Sequence, residues 1–476
     1  MLVFKFKNLF LFFSLLTIFS TITFAARKKV VIIGGGIAGV SSTFFMTSLY
    51  HDTDIILLEK EEVLGGNART VSVPNGLGQN VMVDIGPQYI AEGGWDLYIA
   101  MLKEVGLWND NEWHVFSPTI TVFSKDPNEP DFYTPQMSRK YLKYKHKKDP
   151  AMKEAFRMLK FFDRSYKHYK NDSLSSNVTV GNYLDDLSMN AKFKKDVLLP
   201  IIASTVNAKI SNARSMSMKS VLGYLAFQSP WKPQKFMVSK IGIGTLVQKL
   251  AERIRSRGSN IKYFTNSPVH KVKTLPGDKY EVHYGVGKKI IADFVVFATH
   301  PYSASKILRF DSKFKKVRKI LDKFTYVDTK VVIHNDRSLL PGKYDAFYNI
   351  KVKKNGQYYM GMNCSAISPK YGDIIKSWGF NKRELIKLKS RNKVLAVANF
   401  KHPNVTPEFL SNNTRLRYAA AKFKTLFFIG GWREVHETQD TAIISGFRIL
   451  DRISRGPSTW WRKKFPQLKG KSYMSL

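Results

Sequence analysis

Cysteine is all but missing: Cys364 stands alone among 476 residues. No disulfide can form within the chain and no cysteine-based metal site can be built. Cys364 itself is expected as a small buried apolar residue. Acidic side chains are scarce too, with 37 Asp and Glu against 76 Lys and Arg, a formal net charge of +39. Such a field favours anionic partners, an anionic membrane surface or an acidic polymer among them, and repels a polyamine unless its pocket is locally acidic. A solvated lysine-rich surface would carry the same charge. No carboxylate cluster promises an acidic pocket or a metal site. No nucleic-acid-binding module is present, so specific nucleic-acid binding is not expected. Internal repeats are absent, which excludes a solenoid.

Long apolar runs are limited to one. Lys5 and Lys7 precede Leu9 to Ala26, and Thr23-Phe24-Ala25 sets small residues around a cleavage position. This pattern predicts a secretory signal peptide over 1–26. The alternative is a membrane anchor through residues 9–26, with Arg27-Lys28-Lys29 behind it. Either reading assigns the chain to the secretory pathway: periplasmic, secreted or lumenal. No twin-arginine pair precedes the run, so folding before export is not supported.

The most informative stretch is Val30 to Gly39, VVIIGGGIAG. An apolar strand runs into Gly34-x-Gly36-x-x-Gly39, and a helical pattern continues to Leu49. Gly34 permits a tight turn, Gly36 lets backbone approach a pyrophosphate, and Gly39 lets helix and strand pack closely. The helix N-terminus stabilises phosphate charge. Ile55 to Leu58 reads as a second strand, and Glu59 follows where a carboxylate can accept ribose hydroxyls. Together these predict a dinucleotide site.

Further along, residues 95 to 235 read as mainly helical. Ile241 to Gly258 reads as an amphipathic helix. Short strands follow at 261–264, 268–273 and 279–284, then a single buried strand at 290–299. Residues 324 to 400 alternate strand-like runs with turns. Leu426 to Gly431 is a last strand, followed by a helix from about Asp440.

This order resembles the flavin-containing amine oxidase superfamily. The resemblance rests on Val30–Thr70, on Gly242–Pro301 with Ser267-Pro268-Val269 and ADFVVFAT, on YVDTKVVIHNDRSLLP from Tyr326, and on FFIGGW with its terminal helix. It is nearest to predicted NAD/FAD-binding proteins linked to lipid acyl-chain modification. It implies an α/β fold in which a Rossmann-like FAD-binding domain is interleaved with a mixed sheet-plus-helices substrate domain. The expected parts are FAD-binding segments 27–94, 236–310 and 415–456, substrate segments 95–235 and 311–414, and a basic tail 457–476.

By resemblance the cofactor is FAD, held noncovalently because Cys364 lies too far upstream of Gly430 to be a flavin-linking cysteine. Gly34, Gly36 and Gly39 would face the pyrophosphate and Glu59 the ribose. Gly66 and Arg69 would lie near the phosphate or flavin, with the Val269 backbone at the adenine edge. Gly430, Gly431, Thr441 and Ala442 would sit by the flavin. Lys330 matches the position of the lysine that several amine oxidases place beside the flavin, and His436, before Glu437, is a candidate acid–base residue. His300 is read as structural, and Tyr89 and Trp432 are candidate aromatic walls. Asn67 departs from the family's Gly-Gly-Arg pattern, which weakens that contact. The activity implied is hydride removal from a C–H bond of a lipid-like or amine substrate, electrons passing to oxygen or another acceptor. The rival is a non-catalytic flavin-fold protein binding an anionic membrane or polymer through its basic surface.

Overall fold

The computed structural model describes residues 27–47, 53–124, 131–134, 150–232, 234–340, 346–353 and 355–453. The expected leader or anchor at 1–26 and the basic tail at 457–476 lie outside the described residues. Among the described residues no helix is long and apolar enough to cross a membrane.

Strand Lys28–Ile33 is the centre of a five-stranded parallel sheet. It pairs with Thr53–Leu58 on one side and Phe294–Phe297 on the other. Ile261–Phe264 and Leu426–Phe428 form the edges. Runs such as FVVF and VVII are continuous rather than alternating because both faces of a parallel sheet are covered. Helices Ile37–Thr47 and Gln439–Ile453 supply part of that cover and touch through Phe45 and Phe447, ring centroids 5.4 Å apart. Three buried hydroxyls in the first helix, on Ser41, Ser42 and Thr43, are satisfied by carbonyls of Ala38 and Gly39 one turn back.

The apolar run at 290–299 is two strands, not one. Lys288–Ala292 closes a three-stranded antiparallel sheet, and Phe294–Phe297 joins the parallel sheet. Asp293 makes the switch: its carboxylate accepts the Lys29 N–H at 2.8 Å and its own N–H bonds the Lys29 carbonyl.

The second large layer is a seven-stranded sheet. Its order is Val394–Pro403, Tyr326–His334, Ile375–Trp378, Tyr358–Asn363, Tyr348–Val352, Ile120–Phe123 and Phe132–Thr134. The region 95–235, expected to be mainly helical, therefore contributes strands, including Trp113–Phe116 in a smaller sheet. Trp113–Phe116 and Ile120–Phe123 are runs of four residues whose partners lie far away in sequence, at Phe236–Ser239 and Tyr348–Val352, and Phe132–Thr134 adds to Ile120–Phe123 at the edge. Local pattern does not reveal such pairing. Helices Pro150–Asn171, Leu199–Thr205 and Met218–Leu225 make up much of the rest.

Candidate cofactor and substrate site

The parallel strands end on one edge, where open α/β sheets bind ligands. Three glycines shape that edge for different reasons. Gly34 has φ +110°, and a Cβ there would lie 2.6 Å from the Ala298 carbonyl oxygen. A Cβ on Gly39 would lie 2.0 Å from the Gly34 oxygen. Both are glycine because the protein packs against them. At Gly36 the nearest atom to an added Cβ is the Gly66 Cα, 3.8 Å away. That space is open to a ligand.

A cavity of about 1310 Å³ occupies this edge and extends between the sheet and the helices. Small-molecule pockets hold roughly 300–1,000 Å³, so the space accommodates a dinucleotide and a second ligand. Gly34, Gly36, Glu59, Gly66, Arg69, Val269, Gly430, Gly431 and Ala442 all line it. Glu59 is fixed by two backbone donors, the N–H groups of Gly35 at 2.6 Å and Glu61 at 2.9 Å. Ser445 Oγ accepts the Gly430 N–H at 2.8 Å and sets the turn after the last strand. Arg69 Nε bonds the Gly66 carbonyl at 3.1 Å, with its guanidinium 5.7 Å from the Phe400 ring.

Several buried polar atoms on the wall have no protein partner: Gln88 Oε1, Thr299 Oγ1, His300 Nδ1 and both amide atoms of Gln439. Buried polar groups are seldom orphaned. A polar ligand along this wall supplies the missing partners, and FAD, with its hydroxyls, phosphates and ring amides, fits both the bare glycines and the orphaned groups.

Four of the expected site residues do not line the cavity. Gly39 acts through packing alone. Thr441 is buried in the first turn of the last helix, its hydroxyl bonding the His436 carbonyl at 2.8 Å. Lys330 is exposed and outside the lining, while its neighbour Val331 lines the cavity. Successive strand side chains face opposite ways: Val331 is on the buried face and Lys330 on the exposed one, where this strand reaches the cavity only at Asp328. The buried lysine on the wall is Lys376, from strand Ile375–Trp378 opposite Ile333. It is 4% exposed and donates to the Gly86 carbonyl. Burial pulls its ammonium down to about 8, against the attraction of Asp84. Burial likewise pushes the Asp84 carboxyl up to about 6, although Thr70, the Ile243 N–H and Lys376 favour its charged form.

His436 is displaced in the same way. Its ring is buried against Tyr224 and Tyr169, and bare Gly223 makes room for it. The next residue, Glu437, faces the cavity. His300 also lines the cavity, stacked on Tyr302 with centroids 5.3 Å apart, and burial lowers its pKa to about 4. Tyr89 and Trp432 are on the wall in separate clusters, Tyr89 against Trp95 and Phe236, Trp432 against Phe324. Cys364 is fully buried, and burial pushes its thiol up to about 11. Lys376 and Gln88 were not picked out by sequence, and Glu437 was named only as the neighbour of His436. A lysine within the otherwise apolar and small run IKSW was the one visible signal.

A nucleotide edge continued by a largely apolar chamber is the arrangement of an FAD-dependent oxidoreductase. The chain belongs to the flavin containing amine oxidoreductase family, whose sequence model matches residues 37–340. It is 30% identical over 82 residues to protoporphyrinogen oxidase of Saccharomyces cerevisiae, a match covering 17% of this chain and 15% of that enzyme. Cyclohexylamine oxidase from Brevibacterium oxydans superposes with a TM-score of 0.59 at 13% identity, over 90% of this chain and 99% of that one. A putrescine oxidase bound to putrescine gives 0.55 at 14% identity, over 90% and 99%. At such identities the likeness establishes the fold. FAD is the family's cofactor.

Proposed function

We propose that the protein oxidises a bulky, mainly apolar substrate at a carbon–hydrogen bond, with FAD as the first electron acceptor. The observation that carries this reading is the chamber continuing the cofactor cleft. Its walls include Met158 and Phe162 from the long helix, Val221 and Leu225 from Met218–Leu225, and Met360 and Trp378 from the seven-stranded sheet. Four carboxylates line the whole cavity, against six Lys and Arg. Glu59 and Glu61 belong to the ribose end, and Asp328 is tied to Lys401 at 2.5 Å. A polyamine would meet more positive than negative charge. A lipid-like molecule, or a monoamine with a large apolar body, suits these walls better.

Gly34, Gly36 and Gly66 would admit the pyrophosphate, Glu59 would accept the ribose hydroxyls, and the Val269 backbone would meet the adenine. Arg69 would reach the phosphates, with Gly430, Gly431 and Ala442 beside the flavin. When bound, FAD supplies a two-electron acceptor. The chain's own part is to bind and orient the substrate and to exclude water with apolar walls. Lys376 holds a proton at Nζ that its lowered pKa makes easier to release. Family membership and the formed chamber weigh against a non-catalytic module.

The test is an absorbance spectrum of the purified protein before and after acid precipitation, then anaerobic addition of dodecylamine, oleic acid and putrescine. Flavin released to the supernatant, and bleached by an apolar compound but not by putrescine, supports the reading. A colourless protein that takes up no added FAD overturns the cofactor assignment, and bleaching by putrescine overturns the substrate class. Repeating the bleaching with and without oxygen identifies the electron acceptor.

A further inference from the structure

We propose that Glu437 is the proton acceptor of this site, a catalytic carboxylate at the junction between the cofactor end and the substrate chamber. Two contacts fix its position. On one side its side chain packs on bare Gly431, where an added Cβ would come within 2.6 Å of the Glu437 Cγ. On the other its N–H donates to the Tyr224 hydroxyl at 2.8 Å, and Tyr224 belongs to the helix lining the chamber. Glu437 thus spans from the glycine turn of the last parallel strand to the chamber wall.

Its surroundings leave the carboxylate available. The titratable groups that feel its charge are Tyr224 on the Met218–Leu225 helix, Tyr302 on the Pro301–Ile307 helix and Tyr326 on the Tyr326–His334 strand. Burial pushes its carboxyl up to about 7, and no cation offsets that burial. Glu434, three residues earlier, has a carboxyl pushed equally to about 7, but it is paired with Arg448 at 2.9 Å and is not on the cavity wall. Of the two, Glu437 alone can touch a ligand.

The step balances as follows. Oxidation removes two electrons and two hydrogens from the substrate. The electron pair and one hydrogen leave to the bound FAD, the oxidant, which is reduced. The other hydrogen leaves as a proton: its bond to the substrate breaks, and an O–H bond forms on the Glu437 carboxylate. Negative charge arriving on the reduced cofactor favours this protonation further.

The inference rests on the cavity being the FAD site, and its test needs no substrate. The midpoint potential of the FAD-loaded protein is measured against pH by spectroelectrochemistry for wild type, Glu437→Gln, Glu437→Asp and Glu434→Gln. Above pH about 7 the wild type is expected to take up one proton more per two electrons than Glu437→Gln, and below it the same number. Glu437→Asp and Glu434→Gln should follow the wild type. Identical slopes for wild type and Glu437→Gln overturn the role of Glu437, as does loss of the extra proton in Glu434→Gln instead. Should Glu437→Gln not hold FAD, wild type decides. Its reduced-minus-oxidised infrared spectrum, at a pH above the Glu437 value, should gain a protonated-carboxyl band that moves with ¹³C-glutamate labelling. Absence of that band overturns the proposal. Failure of the wild type to take up FAD overturns both the site and the role.

Discussion

Two neighbouring glycine-to-alanine changes separate packing from binding. In Gly39→Ala the new Cβ would fall 2.0 Å from the Gly34 oxygen. The helix must back away from the strand by about 1 Å, a forced overpacking that costs about 1–3 kcal/mol. Better helix propensity returns up to about 1 kcal/mol. The net loss should lower the melting temperature of the FAD-free protein by roughly 1 °C per kcal/mol, as the unfolding entropy of a chain this long implies. In Gly36→Ala the nearest atom is 3.8 Å away, and Gly36 is outside the left-handed region. The FAD-free protein should melt like wild type. Its methyl would stand in the space assigned to the pyrophosphate, so FAD affinity should fall at least tenfold, about 1.4 kcal/mol. Circular dichroism melts of the FAD-free proteins and FAD titrations followed by flavin fluorescence give both quantities. A Gly36→Ala protein that melts as early as Gly39→Ala, or binds FAD as well as wild type, refutes the division of roles.

Glu59→Ala removes the acceptor of the buried Gly35 N–H and the part-buried Glu61 N–H as well as the ribose contact; calorimetry should record FAD binding weakened at least tenfold, about 1.4 kcal/mol. Lys330→Ala should leave FAD affinity and the flavin spectrum unchanged, whereas Lys376→Met should alter the spectrum. Because the Lys376 pKa falls from 10.5 unfolded to about 8 folded, its burial opposes folding at pH below 8. The unfolded chain binds more protons between these values, so stability should rise with pH across that window, by about 3 kcal/mol at most. Urea unfolding of Lys376→Met should lack this rise. Cys364, with its thiol at about 11 and fully buried, should resist thiol reagents in the native protein at neutral pH and react on unfolding.

What could be read from sequence was what is local. The strand–glycine–helix run and Glu59 are contiguous or one unit apart, and their expected elements formed where placed, the helix end at 48–49 lying outside the described residues. The two residues expected to do chemistry both lie outside the cavity lining, each next in sequence to a residue that is in it. His436 gave way to Glu437 because a loop turns over in one residue. Lys330 gave way to Lys376 because Val331 takes the cavity face and a lysine 46 positions on, paired with Ile333, shares it. Strand parity is periodic in sequence, but which face is inner depends on the sheet that forms. The strands Trp113–Phe116 and Ile120–Phe123 stayed hidden for a related reason: they are set by partners at residues 236–239 and 348–352.

The parallel sheet also sets a timetable for synthesis. Its central strand leaves the ribosome first, at residues 28–33, and its closing strand last, at 426–428. About 400 residues separate them, roughly 20–80 s of elongation at 5–20 residues per second. During that interval the strand VVII has no neighbour on its Phe294–Phe297 side until well past mid-chain, and the Gly430 turn does not yet exist. The nascent cofactor cleft is an assembly of distant parts, with the slow, non-local pairing that exposes apolar edges to aggregation. FAD can be captured only near the end of translation or after it. A supply of FAD at the place where folding finishes is therefore a requirement written into the strand order itself.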